Sequence, residues 1–92
     1  MLVRFHEFSE HHDRTIFEAA DRLNVFPRIK WSTAHEVRFD LALRKDSYMP
    51  VPSETWRAMI AALYAYDPKA RIKTARAIYH DKTDFEQQTA TL

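Results

Sequence analysis

The side chains best suited to acid–base or metal chemistry lie in and around the stretch FSEHHDRT, residues 8–15. Imidazole and carboxylate groups bind divalent metals and exchange protons near neutral pH. The candidate cluster comprises His6, Glu7, Glu10, His11, His12 and Asp13. Adjacent histidines diverge by about 100° on a helix, so His11 and His12 cannot hold one metal ion together. We therefore interpret the stretch as a solvated first helical turn with His11 the more exposed, and we assign no catalytic residue, metal ligand or cofactor.

A second candidate is the basic segment PKARIKTAR, residues 68–76. Its cations, with no acid between them, are Lys69, Arg71, Lys73 and Arg76. On a helix, Lys69, Lys73 and Arg76 would share one side; on a strand, Arg71 and Lys73 would share one face. Either arrangement gives a positive patch suited to phosphates or to an acidic protein surface. Arg57, on the preceding helix, could extend this patch.

Composition excludes several classes of site. The chain has no cysteine, which rules out disulfides and zinc–thiolate sites and favours a reducing, cytoplasmic location. It has no glycine, which rules out the glycine-dependent phosphate loops and the nucleophile elbow. A net charge of +1 is low for a dedicated nucleic-acid packaging protein. No apolar run approaches signal-peptide or membrane-span length, so we expect no membrane association.

The first half of the chain predicts a strand, a helix and a hairpin. Residues 2–6 alternate as a short strand, and residues 10–23 have helical spacing, with Ser9 as N-cap and Asn24 as a left-handed end. Residues 28–32 and 37–43 alternate and should form a hairpin. In the first of these strands, strict alternation directs Trp31, like Ile29, towards the core.

The second half predicts one clear helix and one ambiguous segment. Ser53 is predicted to cap a helix over residues 54–66, whose core stripe is Trp56, Met59, Ile60 and Leu63. Its back is also uncharged, which indicates either burial on two sides or a partner surface, and it carries Ala61, Ala62 and Ala65 with Tyr64 and Tyr66 close by. Alanine content favours a third helix over residues 69–80, with a fourth strand as the alternative. Residues 83–92 are expected to be a loose tail.

These elements predict a single α+β domain over residues 1–82, followed by the tail. The expected architecture is a small antiparallel sheet of three to four strands with helices on one face. The expected order is β-α-β-β-α-α, and the alternative is the ferredoxin-like order β-α-β-β-α-β. The outer sheet face should then carry Arg4, His6, Lys30, Ser32, Arg38 and Asp40. It lacks the glycine-rich strand and the aromatics of RNA-recognition domains.

Three hypotheses for function follow. The first is a non-catalytic binding protein, a regulator or inhibitor of a protein or nucleoprotein complex, of the kind encoded by phages and mobile elements. It would use the basic segment with Arg57, and the helix surface of Ala61, Ala65 and Tyr66. The second is a sequence-tolerant nucleic-acid-binding protein that adds Arg4, Lys30 and Arg38. The third is a small metal-dependent enzyme at the histidine cluster. A homodimer is also left open.

Overall fold

The structure is a computed structural model that describes residues 11–90 of the 92. The elements in chain order are α1 Asp13–Leu23, β1 Phe26–Ser32, β2 Glu36–Ala42, α2 Ser53–Tyr66, β3 Arg71–Lys73, β4 Ile78–Tyr79 and α3 Lys82–Ala90. The predicted strand 2–6 and the predicted cap Ser9 lie outside the described residues. The first predicted helix is confirmed from residue 13 onward. As predicted, it ends at Asn24, whose φ of 59° lies in the left-handed region.

The four strands form one mixed sheet in the order β1-β2-β3-β4. The β1–β2 hairpin is antiparallel, as expected. β2 and β3 are parallel, however, and α2 connects them. A parallel pair requires such a crossover, because a tight turn can only reverse the chain. β3 and β4 then form a second antiparallel pair. The α+β class is therefore confirmed, whereas the expectation of a purely antiparallel sheet is wrong.

The core lies between the helices and one face of the sheet. Ile16 of α1, and Met59 and Leu63 of α2, are fully buried. They pack with the alternate sheet residues Val37, Phe39 and Ile72, which are also fully buried. From α3, Phe85 joins the same cluster, its ring 5.6 Å from that of Tyr64 and 5.2 Å from that of Tyr79. All three helices therefore contribute to one layer, which covers the inner sheet face.

The predicted helix over residues 69–80 is wrong. Ile72 pairs with Val37 in the parallel ladder and is completely buried, so tertiary pairing overrides the local helix propensity. Thr74 stabilises the turn that follows, because its hydroxyl accepts hydrogen bonds from the backbone N–H groups of Arg76 and Ala77. The result is a short hairpin, Arg71–Lys73 and Ile78–Tyr79, rather than the single final strand of the alternative.

The expected loose tail is also wrong up to residue 90. α3 begins after Asp81, whose side chain accepts the backbone N–H of Asp84 at 2.8 Å. The carboxylate of Asp84 in turn accepts the N–H of His80 at 2.9 Å. This reciprocal arrangement satisfies backbone donors at the start of the helix. The order over residues 11–90 is thus α-β-β-α-β-β-α, which differs from both sequence-based orders.

Candidate functional site

The helices cover one face of the sheet and leave the outer face open. This outer face carries most of the exposed charged and aromatic side chains of the strands. Its central feature is a line of cross-strand neighbours, one from each strand, because Trp31 pairs with Arg38, Arg38 with Lys73, and Lys73 with Ile78. We call these four residues the outer-face row. Trp31 is 37% exposed and Ile78 51% exposed, so the row has apolar ends and a cationic centre.

A β-bulge in β1 places Trp31 on this face. The ladder pairs Ile29 with Phe39 and Trp31 with Arg38, and Lys30 is the extra residue between them. One extra residue shifts every later side chain of a strand to the opposite face. The sequence-based prediction that Trp31 points to the core is therefore wrong. Ser32 changes sides as well: it pairs with buried Val37 rather than facing outward.

The acids on the outer face are already engaged. Glu36 lies opposite Arg71, and the Arg71 Nη1 is 3.9 Å from the Glu36 Oε2. Asp40 accepts a hydrogen bond of 2.9 Å from the backbone N–H of Ala75. The side chain of Arg38, in contrast, forms no ion pair or hydrogen bond within residues 11–90. The cations of this face outnumber its acids, so its net charge is positive.

The remaining cation of the row contacts an aromatic ring. The Lys73 Nζ lies 5.9 Å from the centroid of the Trp31 ring, within the range of a cation–π interaction. Arg28 also lies on this side, opposite Asp40, and its guanidinium donates to the carbonyl oxygen of Lys45 at 2.6 Å. Lys30 is exposed, as predicted, whereas Arg4 and His6 lie outside the described residues.

The predicted basic segment is divided between separate places. Arg71 and Lys73 share the outer sheet face, as the strand alternative requires. Lys69 and Arg71 line a shallow cleft together with His35, Glu36 and His80.

Arg57 and Arg76 instead line a cleft of about 250 Å³ between α2, the β3–β4 hairpin and α3. Arg76 donates to the Ser53 hydroxyl at 2.9 Å and lies 6.0 Å from the Trp56 ring centroid. We call this the arginine cleft. The single basic patch expected from the sequence is therefore not formed.

The uncharged surface of α2 is partly core and partly exposed. Tyr64 is 1% exposed and belongs to the core, and burial raises the pKa of its phenol. Ala61 and Ala65 are exposed, and Tyr66 is 57% exposed. Two-sided burial therefore describes Tyr64 and, in part, Ala62. The exposed remainder consists of Ala61, Ala65 and Tyr66, and exposed Arg57 lies one helical turn before Ala61.

Of the histidine cluster, His6, Glu7 and Glu10 lie outside the described residues, and residues 11–13 are not the solvated turn that the spacing suggested. His12 is 1% exposed, and its Nε2 lies 2.9 Å from the Asp67 Oδ2 at the end of α2. Its backbone N–H donates to the Ser32 hydroxyl at 3.2 Å. His12 thus joins the start of α1 to β1 and to α2. As predicted, His11 is more exposed than His12, since it is only partly buried.

Asp13 is the second buried polar residue of this cluster. Burial raises the pKa of its carboxyl group, although the hydrogen bond from Ser32 and the nearby histidines His11 and His12 act in the opposite direction. The His12 Nδ1 is buried and has no hydrogen-bond partner among residues 11–90. A substrate could not reach that nitrogen in this conformation. Within the same range, no three histidine, aspartate or glutamate side chains are grouped to hold a metal ion.

Comparison with known proteins adds no functional information. The chain matches no protein-family model, no curated protein and no solved structure. In the described part of the chain, no helix has the length and apolar character needed to cross a bilayer. The function must therefore be inferred from the geometry of the outer sheet face.

Proposed function

We propose that this protein is a non-catalytic binding protein that holds nucleic acid, alone or within a nucleoprotein complex, against its outer sheet face. The observation that carries the proposal is the outer-face row, in which two adjacent cations lie between exposed apolar residues. Phosphate groups are bound chiefly by lysine and arginine, and base surfaces are bound by aromatic side chains. It takes up the second sequence hypothesis, nucleic-acid binding, on a surface that keeps Arg38 and Lys73 and adds Trp31 and Ile78.

Several features support binding rather than catalysis. The histidine best placed for acid–base chemistry, His12, has a buried ring engaged by Asp67. On the outer face, the carboxylates that could act as bases are already engaged, Glu36 by Arg71 and Asp40 by the backbone of Ala75. A regulatory or inhibitory role and a cytoplasmic location stay predictions from the sequence.

Charge reversal on opposite sides of the molecule tests the proposal. Binding of a labelled oligonucleotide is measured by fluorescence anisotropy for wild type, for the double variant Arg38→Glu/Lys73→Glu and for the control Arg14→Glu/Arg57→Glu. The two double variants change the net charge equally, and Arg14 and Arg57 are exposed on helices. We expect the sheet variant to weaken binding by at least roughly tenfold, because each cation lost removes a phosphate contact. The control should stay close to wild type.

Equal weakening by both variants would contradict the proposal, because it would show attraction to net charge rather than to this face. Absence of oligonucleotide binding by the folded wild-type protein would contradict it too. Circular dichroism of each variant verifies that the fold is retained.

A further inference from the structure

We infer that the nucleic acid bound on the outer sheet face is single-stranded, with a base stacked on Trp31. This inference depends on the proposed function, because it specifies the form of the same ligand. It is carried by two observations: the bulge that turns Trp31 outward, and the cations placed beside it.

The bulge, and not the alternation of β1, places Trp31 on the exposed face. The indole remains 37% exposed, while the second tryptophan, Trp56, is 9% exposed in the core. Continuing the alternation of β1 past Ile29 without the bulge would have directed Trp31 inward. The bulge instead presents a large flat ring at the edge strand of the described sheet, next to an open cationic surface. A flat ring of this kind can stack with any base, independent of sequence.

The cations are arranged along the path that a strand would follow from this ring. Arg38 is the direct cross-strand neighbour of Trp31, and Lys73 lies one strand further and reaches back over the indole at 5.9 Å. A nucleotide stacked on Trp31 brings its phosphate within reach of both groups. The row extends over three strand spacings, about 14 Å, and ends at exposed Ile78. This length suits two to three nucleotides, as other sheet faces accommodate.

A duplex would make poor use of this surface. Its bases are stacked on one another and present only their edges in the grooves, which helices or narrow ribbons enter. A broad sheet face would meet the phosphate backbone alone, leaving Trp31 without a partner. An unstacked strand satisfies the ring and the cations together, and for this reason we infer the single-stranded form.

The test compares three probes and three proteins. The probes are a labelled oligothymidylate of about 12 nucleotides, within the usual range of single-strand site sizes, the same strand annealed to its complement, and inorganic polyphosphate as competitor. The proteins are wild type, Trp31→Ala and Trp31→Phe. Trp31 and Trp56 are the two tryptophans of the chain, so any emission left in the Trp31 variants comes from buried Trp56.

We expect wild type to bind the single strand at least roughly tenfold more tightly than the duplex, with quenching of tryptophan emission. Trp31→Ala should weaken single-strand binding by roughly 5- to 150-fold, the range found for the loss of one stacked base. Trp31→Phe should retain most of the affinity, since it keeps a ring, but it should lose the quenching. Because Trp31 is on the surface, both variants should fold.

Equal binding of single strand and duplex, with Trp31→Ala unchanged, would overturn the inference and leave the proposed function intact. Competition by polyphosphate as strong as competition by unlabelled oligothymidylate would overturn it too, because bases would then contribute nothing. If wild type bound neither strand nor duplex, the proposed function itself would fail.

Discussion

The inner and outer faces of the sheet use alternate residues of the same strands and have opposite surroundings. On the inner face, Val37, Phe39 and Ile72 are completely buried under three helices. On the outer face, their neighbours Arg38 and Lys73 lie between Trp31 and Ile78, both of which are exposed. The inner face therefore supplies the hydrophobic stabilisation of the fold, while the outer face can be changed with little loss of stability. Such a division is expected of a sheet that packs on the core with one face and leaves the other open to solvent or a partner.

The two tryptophans show the same division at the level of single side chains. Each has a cation about 6 Å from its ring, Lys73 beside Trp31 and Arg76 beside Trp56. Trp56 also packs against Phe39, with ring centroids 5.9 Å apart, and belongs to the core. Trp31 is not part of that core cluster. The two rings therefore differ in accessibility and not in the presence of a nearby cation.

The largest expected effect is the difference in stability loss between truncating an aromatic side chain on the inner face and truncating one on the outer face. Phe39→Ala removes a fully buried ring and should lower the free energy of unfolding by about 3–5 kcal/mol. Trp31→Ala should lower it by no more than about 1 kcal/mol, because much of that side chain is already in water. Urea unfolding of both variants measures the difference. Losses of similar size would show that the two faces are not divided as described.

Deletion of Lys30 should have a smaller effect. It removes the bulge without moving Trp31 or Ser32 to the other face, because both would keep their partners Arg38 and Val37. We expect a change in the free energy of unfolding within about 1–2 kcal/mol, and unchanged quenching of Trp31 by acrylamide. If Trp31 instead pointed inward in the wild type, deletion would turn it outward. Acrylamide quenching would then increase sharply and the protein would lose much more stability.

Asp13→Asn should have the smallest effect, below about 1 kcal/mol, and it tests the buried polar cluster under α1. Because burial raises the pKa of Asp13 in the folded state, the native protein holds this proton more tightly than the unfolded chain. This contribution to stability is present below pH of about 4 and is lost as pH rises through the raised pKa. Relative to wild type, the Asn variant should therefore gain stability between acidic and neutral pH. Denaturant titrations across that pH range measure the free energy of unfolding of both proteins. A difference between variant and wild type that stayed constant, or that fell as pH rose, would contradict the account.

Local patterns in the sequence are sufficient to predict α1, the β1–β2 hairpin and α2. The helical spacing of Ile16, Ala19 and Ala20 and the alternation of Val37 and Phe39 correspond directly to buried positions. They succeed because these elements bury one continuous face, and burial imposes a regular period. The core stripe of α2 was found for the same reason.

The features that position the candidate site are not encoded in such patterns. The bulge at Lys30 breaks the period within a strand, and in a chain without glycine no residue type signals it. The pairing of Ile72 with Val37 joins residues far apart in sequence, and it outweighs the helix propensity of the surrounding alanines. The buried ring of His12 is engaged through its Nε2 by Asp67, 55 positions later. Each of these depends on a distant partner, so only the assembled fold shows them.

The most direct test of the central claim is the salt dependence of oligonucleotide binding in the two charge-reversed double variants. The logarithm of the association constant falls with the logarithm of salt concentration in proportion to the number of phosphates neutralised. If the outer sheet face binds the backbone, Arg38→Glu/Lys73→Glu should reduce the slope by about two, roughly one for each cation, relative to wild type. Arg14→Glu/Arg57→Glu should keep the wild-type slope. A slope that is unchanged in the sheet variant, or reduced equally in both, would contradict the account.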